Sequence, residues 1–505
     1  MNSLKELIGT SRRFAQNRTA LICPGHGQLS YTELWERVAF FSSALTSAGL
    51  GKGQLIGHCL PKTDTSVVAL CAILDIEAAY TPVDAGSPVA RNAGIFADCF
   101  VSAILVSPEL TAEYVQNLNC EVEIMSFEQF GCNLLKCTWT ATPGLEYADN
   151  LAMVLYTSGS SGAPKGVQIT HGNALAFVHW CSGYLNPEAP LICASIAPFH
   201  FDLSVFDLYV SLLHGSAILL LDQSTCQNPR LLALYLSQYE VSLCYTTPTL
   251  LKTLLHHGQL HKRDFSSLQR VIFAGEVFPV EALRSLKNEW PHARFVNFYG
   301  PTETNVVSFY EIPKAIEPGR VSAFPIGFSC DFARCMIATG GDYLDPAPAL
   351  KGELLVSGPS VTPGYLGHTA THSSEHFVYI ADRRFYRTGD MVRVLDDGSM
   401  EFLGRKDRTV KRRGYRIALE EIEQTLSLHP EAAEVAVSYS STNEQPRILA
   451  FFVTKGNQTA LTPNDVLRFC AHTLPSYFLP DRVVLKAALP KTTTGKIDYA
   501  RLDPQ

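Results

Sequence analysis

Residues 156–167, YTSGSSGAPKGV, hold the densest group of side chains able to handle an anion. Four hydroxyls (Thr157, Ser158, Ser160 and Ser161), three glycines (Gly159, Gly162 and Gly166) and Lys165 fall within this run. Glycine lets the backbone approach a phosphate closely, successive amides and hydroxyls can donate to its oxygens, and Lys165 supplies charge. A flexible Gly/Ser turn has the same composition, so the run alone leaves both readings open. Neither the G-x-x-x-x-G-K-[ST] nor the G-x-G-x-x-G spacing fits it.

Other stretches carry chemistry too. In residues 299–304, YGPTET, the Tyr299 ring can stack on a purine and Gly300-Pro301 forces a turn. Thr302 can donate to phosphate and Glu303 is a hard oxygen ligand for Mg²⁺, although a plain polar loop would read the same way. Asp202 stands in FHFDLSVFDL, an apolar setting where a buried, unpaired carboxylate would cost several kcal/mol and so needs a cation. The alternative is that Asp202 caps an amphipathic helix over residues 203–213. Asp390, at the end of YRTGD, sits at a tight turn, and Asp397-Gly398 marks a hairpin. Residues 405–416 include seven Lys or Arg among twelve, for which a solvated basic face is the default. Lys496, in TTTGKIDYARL, reads by itself as a surface lysine on a polar loop.

Taken together, TSGSSGAPKG, LSYTEL, AAYTPVD, YGPTET, YRTGD, GRKDRTVKRRGYRIALEEIE and the closing GKID resemble the motifs of the adenylate-forming superfamily, from Leu29 to Leu502. That superfamily holds acyl- and aryl-CoA synthetases, firefly-type luciferases and the adenylation domains of peptide synthetases. Ser161 stands where the family usually has Thr, which keeps the hydroxyl.

The resemblance implies use of ATP and Mg²⁺. Thr157, Ser158, Gly159, Ser160, Ser161, Gly162 and Lys165 would hold the phosphates, and Glu303 the Mg²⁺. Gly275, Asn297, Phe298, Tyr299, Gly300, Thr302, Asp390, Phe402 and Arg405 would complete the nucleotide site, with Asp390 and Phe402 at the ribose. Lys496 matches the catalytic lysine, bridging the substrate carboxylate and the α-phosphate; Glu303, Thr157 and Lys165 complete the catalytic set. Asp407 matches the hinge pivot, and Gly414 lies in the segment that faces the active site during thioester formation.

The FD-x-S at Asp202 is similar to peptide-synthetase adenylation domains, in which the aspartate binds the α-ammonium group of an amino acid; acyl-CoA synthetases generally lack it. Carried over position by position, that resemblance puts Asp202, Leu203, Phe206, Tyr245, Ile272, Ala274, Phe298, Val306, Val307 and Lys496 around the substrate. Between the charged ends only the Tyr245 hydroxyl is polar, so a compact apolar side chain is implied. A polar one would go unpaired at ~1–3 kcal/mol. The set resembles stand-alone L-prolyl-AMP ligases, with valine or another small apolar residue as competitor. The implied reaction is carboxylate attack on the α-phosphorus of ATP, release of pyrophosphate, then transfer to the phosphopantetheine thiol of a separate carrier protein, since a free-standing enzyme is expected. An acyl- or aryl-CoA synthetase, or an inert nucleotide-binding protein of the same fold, are the rival readings.

The bulk numbers are compatible with this. At 505 residues the chain exceeds what one core usually supports. A net charge of −7 argues against general nucleic-acid binding. The fourteen cysteines lack any C-x-x-C pair or metal-ligand spacing and read as reduced thiols of a cytoplasmic protein. No apolar run is long enough for a membrane span.

Stepping outward, these groups need a scaffold of alternating helices and strands. Ser30 and Glu33 have the form of a capping box before an amphipathic helix that stops at Gly49 and Gly51. Apolar runs at 55–60, 101–107, 151–155, 241–245, 270–274 and 294–298 read as strands, and 66–76 and 173–185 as helices, the second following the glycine-rich loop. Beyond residue 406 the pattern predicts a helix over 419–428, strands over 435–440, 448–454 and 482–486, and a helix begun by Thr462-Pro463. The expected fold class is α/β: a large N-terminal domain of parallel-sheet α/β subdomains (1–406), joined by a hinge to a small α+β C-terminal domain (407–505).

Overall fold

A computed structural model describes residues 1–14, 18–140, 147–158, 164–366, 375–440, 447–455, 461–491 and 497–502. Local signals set many of its elements. The Ser30 hydroxyl accepts from the Glu33 amide while the Glu33 carboxylate accepts from the Ser30 amide, opening helix Tyr31–Ser47. Such a reciprocal cap satisfies two amides that the helix itself cannot. Thr462 does the same with Asp465, and Pro463 sits at the first helical position of Pro463–Ala471.

In the large N-terminal domain, five parallel pairings join strands Thr19–Cys23, Ala217–Leu220, Ile192–Ser195, Leu243–Thr246, Arg270–Ala274 and Arg294–Tyr299. Antiparallel strands Gly27–Ser30 on one side, and Ser308–Glu311 and Phe328–Ser329 on the other, complete a nine-stranded sheet. The register Tyr245↔Ile272 and Ala274↔Phe298 brings the carboxyl ends of three parallel strands to one edge, where ligand sites of open α/β sheets are built. A second, eight-stranded sheet is mixed, with Leu55–Cys59 pairing in parallel with both Ala79–Pro82 and Ala103–Val106. A common apolar core, including Val38, Val68, Leu155, Phe177 and Ile272, is shared by both sheets and the helices between them.

Two local expectations change. Strand Leu151–Thr157 is not followed directly by a helix: it pairs antiparallel with the next described strand, Lys165–Thr170, with Thr157 opposite Lys165. Alternation in KGVQIT puts buried Val167 and Ile169 on the inner face, so this stretch is a strand, and helix His171–Leu185 begins only after it. The helix expected over 203–213 is interrupted by a wide π turn, Phe206–Val210.

A third sheet, antiparallel, carries Arg383–Val394 and Met400–Arg405, joined by the Asp397-Gly398 turn. The small C-terminal domain follows: hairpin Thr409–Arg412/Tyr415–Ala418, helix Leu419–Ser427, and the sheet Ala432–Ser440, Arg447–Thr454, Arg482–Leu485. Its own core is built from Ile417, Ile422, Leu426, Val437, Phe452 and Val466. No described helix is long and apolar enough to cross a membrane.

Candidate functional site

A cavity lies between the two domains. Thr157, Ser158, Asp202, Leu203, Tyr245, Ala274, Gly275, Gly300, Thr302, Val306 and Arg405 line it from the large domain, and Lys411, Gly414, Tyr415, Arg416 and Tyr477 from the small one. Asp202 has helical backbone angles and its carboxylate makes no capping bond, so the capping alternative does not describe it. Burial raises its pKa, while the Thr302 hydroxyl and the Lys411 ammonium pull it back. A half-buried acid facing a cavity with neutralising groups nearby is the environment expected of a cation acceptor.

At the cavity wall, the Tyr245 ring is wedged between Phe206 and Phe298, at centroid distances of 5.1 and 5.8 Å, edge-on to both. Phe206, Ile272 and Phe298 share a buried cluster with Tyr245, Ala274 and Val306 but do not line the cavity. Val307 belongs elsewhere: it packs with Tyr299, Ile326 and Ile337, because the chain alternates and only Val306 faces inward.

Among the residues expected to hold phosphate, Gly159, Ser160, Ser161 and Gly162 lie outside the described residues, as does Lys496. Thr157 presents a buried hydroxyl with no partner among the described residues. Ser158 is engaged by the small domain: its hydroxyl donates to the Arg416 carbonyl at 2.5 Å and accepts from the Ala418 amide at 3.2 Å. Lys165 Nζ lies 3.2 Å from His376 Nε2 and 5.5 Å from the centre of the Tyr365 ring.

Glu303 is 1% exposed. Burial raises its pKa, but Arg416, the Tyr365 hydroxyl and nearby donors outweigh this and hold it at about 2. Tyr365 donates to it at 2.8 Å, and Arg416 Nη1 lies 3.2 and 3.3 Å from its two oxygens. Asp390 is also enclosed, accepting from the Tyr299 hydroxyl and from Arg405 Nη1, both at 2.5 Å. Its two oxygens, expected at a ribose, are therefore occupied by protein donors in this pose. Arg405 continues to Asp407 through two bonds of 2.7 and 2.8 Å.

A larger cavity of about 1370 Å³ adjoins the first, sharing Gly275, Arg405 and Lys411 with it. Asn297, Phe298, Tyr299 and Phe402 line it, together with Lys252, His256, Arg413 and Arg447. Gly414 stands between the two spaces: its amide donates to Glu276 at 2.7 Å, and a side chain there would meet Thr247 Cγ2.

Several participants were not singled out from sequence. Arg416 and Lys411 lay in the basic run, whose composition gave no hint that two of its cations turn inward. Glu276 and the Arg91–Glu421 ion pair, 2.6 Å across the domain boundary, had no local signature at all.

Two AMP-binding family models match the chain: the AMP-binding enzyme over residues 10–366 and the AMP-binding enzyme C-terminal domain over residues 421–496. The chain belongs to the AMP-binding enzyme family. Within it, the chain is 36% identical over 483 residues to an L-proline–[L-prolyl-carrier protein] ligase of Pseudomonas fluorescens, covering 94% of each chain. A ligase of the same name from Streptomyces coelicolor is 33% identical over 502 residues, covering 95% of this chain and 92% of the relative. In fold, the chain resembles the Vibrio cholerae adenylation domain AlmE, solved with glycyl-adenosine-5′-phosphate, with a TM-score of 0.82 at 21% identity, covering 98% of this chain and 96% of that one.

Proposed function

We propose that this chain activates a small apolar amino acid, L-proline first, as the aminoacyl-adenylate and passes it to the phosphopantetheine thiol of a separate carrier protein. The observation carrying this reading is Asp202, whose carboxylate faces the cavity without capping its helix. A substrate ammonium would give it the cation that its burial calls for. Carriage of proline rests on the two named relatives and on the tight aromatic setting of Tyr245.

Adenylation joins two anions, so the protein's task is alignment and charge neutralisation more than proton transfer. Asp202 would orient the amino acid by its ammonium, leaving the carboxylate toward the ATP α-phosphorus. Thr157 and Thr302 would donate hydroxyls to phosphate oxygens, and Lys165 with Lys496 would contribute positive charge. Bond formation between the carboxylate oxygen and the α-phosphorus expels pyrophosphate.

The donor set fits Mg²⁺. Glu303 is an ionised, hard oxygen donor, and among the described residues no cluster of three or more potential ligands competes with it. A single carboxylate plus phosphate oxygens is a usual way to hold this ion. When bound, it would offset phosphate charge and orient the departing pyrophosphate.

Asp407 is the proposed pivot, with residues 1–406 and 407–505 as the moving bodies. The pose seen here, with Gly414 at the junction of the two cavities, suits the second half-reaction: the larger cavity gives a thiol arm a route to the adenylate. Cationic Lys252, Arg413 and Arg447 in its lining suit an acidic, phosphate-bearing partner.

The decisive experiment is amino-acid-dependent pyrophosphate exchange over a panel of amino, fatty and aryl acids, with Asp202→Ala beside the parent. L-proline should give the highest turnover, and the variant should lose it. Exchange driven by fatty or aryl acids and indifferent to Asp202 would instead identify a CoA-dependent synthetase.

A further inference from the structure

Lys62 lies in the bend between strand Leu55–Cys59 and helix Asp64–Asp75, on the sheet opposite the one that carries the amino-acid pocket. Its ammonium crosses to the nine-stranded sheet, donating to the carbonyls of Ser195 and Ala197 at 2.6 and 2.7 Å. Those carbonyls mark the end of strand Ile192–Ser195 and the start of the stretch that runs through Phe199 to Asp202. Lys62 Nζ also sits 5.5 Å from the Phe199 ring centre.

Asp207 comes next along the same stretch of chain, five residues beyond Asp202. It is 1% exposed, lies in the π turn directly after Phe206, and its Oδ2 has no hydrogen-bond partner among the described residues. Burial raises its pKa and the Lys62 charge opposes that rise; burial lowers the pKa of Lys62 and the Asp207 charge opposes that fall. Neither residue lines the cavity. Charges this deep are costly unless each has its partner, and wide helical turns of this kind are frequent at functional sites.

We propose that Lys62 and Asp207 are positioning residues: Lys62 anchors the carbonyls of Ser195 and Ala197 ahead of Asp202, Asp207 sits buried in the turn that carries Phe206, and together they set affinity for the carboxylate substrate. The inference rests on the reading of Asp202 as the ammonium acceptor. A displacement of Asp202 by a fraction of an ångström would weaken that contact while leaving the nucleotide loops, on other elements, in place.

The test compares Lys62→Met, Asp207→Asn, the double variant and the conservative Lys62→Arg by pyrophosphate exchange and thermal unfolding. Lys62→Met should raise the amino-acid KM roughly ten- to hundred-fold and leave the ATP KM within about two-fold. Each single neutralisation should lower Tm because it strands one buried charge, whereas the double variant should recover Tm and keep the raised amino-acid KM. Lys62→Arg should return part of the lost affinity. A double variant with both Tm and amino-acid KM restored would reduce the pair to mutual neutralisation, and equal losses of ATP and amino-acid affinity would make it a general scaffold contact; either overturns the inference. If the parent turns over a different class of acid, the reading of Asp202 fails separately. The positioning role then stands only if the KM for that acid alone rises.

Discussion

Arg416 Nη1 reaches across the domain boundary to both carboxylate oxygens of Glu303, at 3.2 and 3.3 Å. The acid suited to a divalent ion is thus neutralised by a guanidinium while the small domain occupies this pose. A ligand can shift such an equilibrium only by binding one state better than the other, and the proposed Mg²⁺ would compete with the guanidinium for the same oxygens. Arg416→Ala is expected to lower the Mg²⁺ concentration giving half-maximal pyrophosphate exchange and to slow carrier loading. A Mg²⁺ titration of each half-reaction measures both; an unchanged Mg²⁺ dependence would separate Glu303 from the metal.

Gly414 has φ of +82°, and a Cβ placed on it would lie 2.4 Å from Thr247 Cγ2. A non-glycine residue in left-handed backbone costs about 1–2 kcal/mol before any clash is counted. Gly414→Ala should therefore depress carrier loading by roughly ten-fold or more, with amino-acid-dependent exchange nearly unchanged. Thr247→Ser removes the obstructing methyl and keeps the hydroxyl that caps helix Pro248–His257, so in combination it should recover part of the loss. Single-turnover loading of a carrier thiol reads the difference.

Asp202 makes opposite predictions for activity and stability. Asp202→Asn should cost about 2–5 kcal/mol in kcat/KM for the amino acid, since the proposed charge partner of its ammonium is removed. The folded pKa of Asp202 lies above its unfolded value, so the folded state binds its proton more tightly. Stability contributed at this site is greatest below the unfolded value and declines as pH rises through the window up to the folded one. At neutral pH the unliganded Asp202→Asn protein should thus melt at the same temperature as the parent or higher. In the parent, amino-acid kcat/KM should fall as pH drops into that window, because the protonated acid cannot pair with an ammonium.

The Tyr245 wedge leads to a prediction on selectivity. Phe206→Leu keeps an apolar side chain but loosens one of the two rings that flank Tyr245. Stability should fall by about 1 kcal/mol, and the proposed preference for proline over larger apolar amino acids should shrink by roughly ten-fold. Competitive exchange with proline, valine and leucine checks it; an unaltered ratio would mean that Tyr245 holds its position without Phe206.

Much of the scaffold was legible because it depends on neighbours in the chain. Ser30 and Glu33, three residues apart, cap their helix as their types require, and Thr462-Pro463 opens another. The strand over 270–274 has the bounds its apolar run suggested, and Asp397-Gly398 turns the expected hairpin. Family membership was legible for a related reason: loops that handle phosphate need glycines, hydroxyls and a lysine in a fixed order.

What sequence alone determined, then, was many of the elements, those set by caps, turns and apolar runs, and which chemistry-bearing side chains they carry. Tertiary structure alone decided which of those groups meet. Arg416 and Glu303 lie 113 residues apart, and Lys62 grips carbonyls 133 and 135 residues away. Val306 faces the pocket cluster while its neighbour Val307 faces another. Periodicity marks both valines as buried, and composition marks residues 405–416 as basic, but a side chain's partner depends on how strands register and how one domain rests on the other. Those arrangements come from summed long-range packing and charge pairing, which no local pattern encodes.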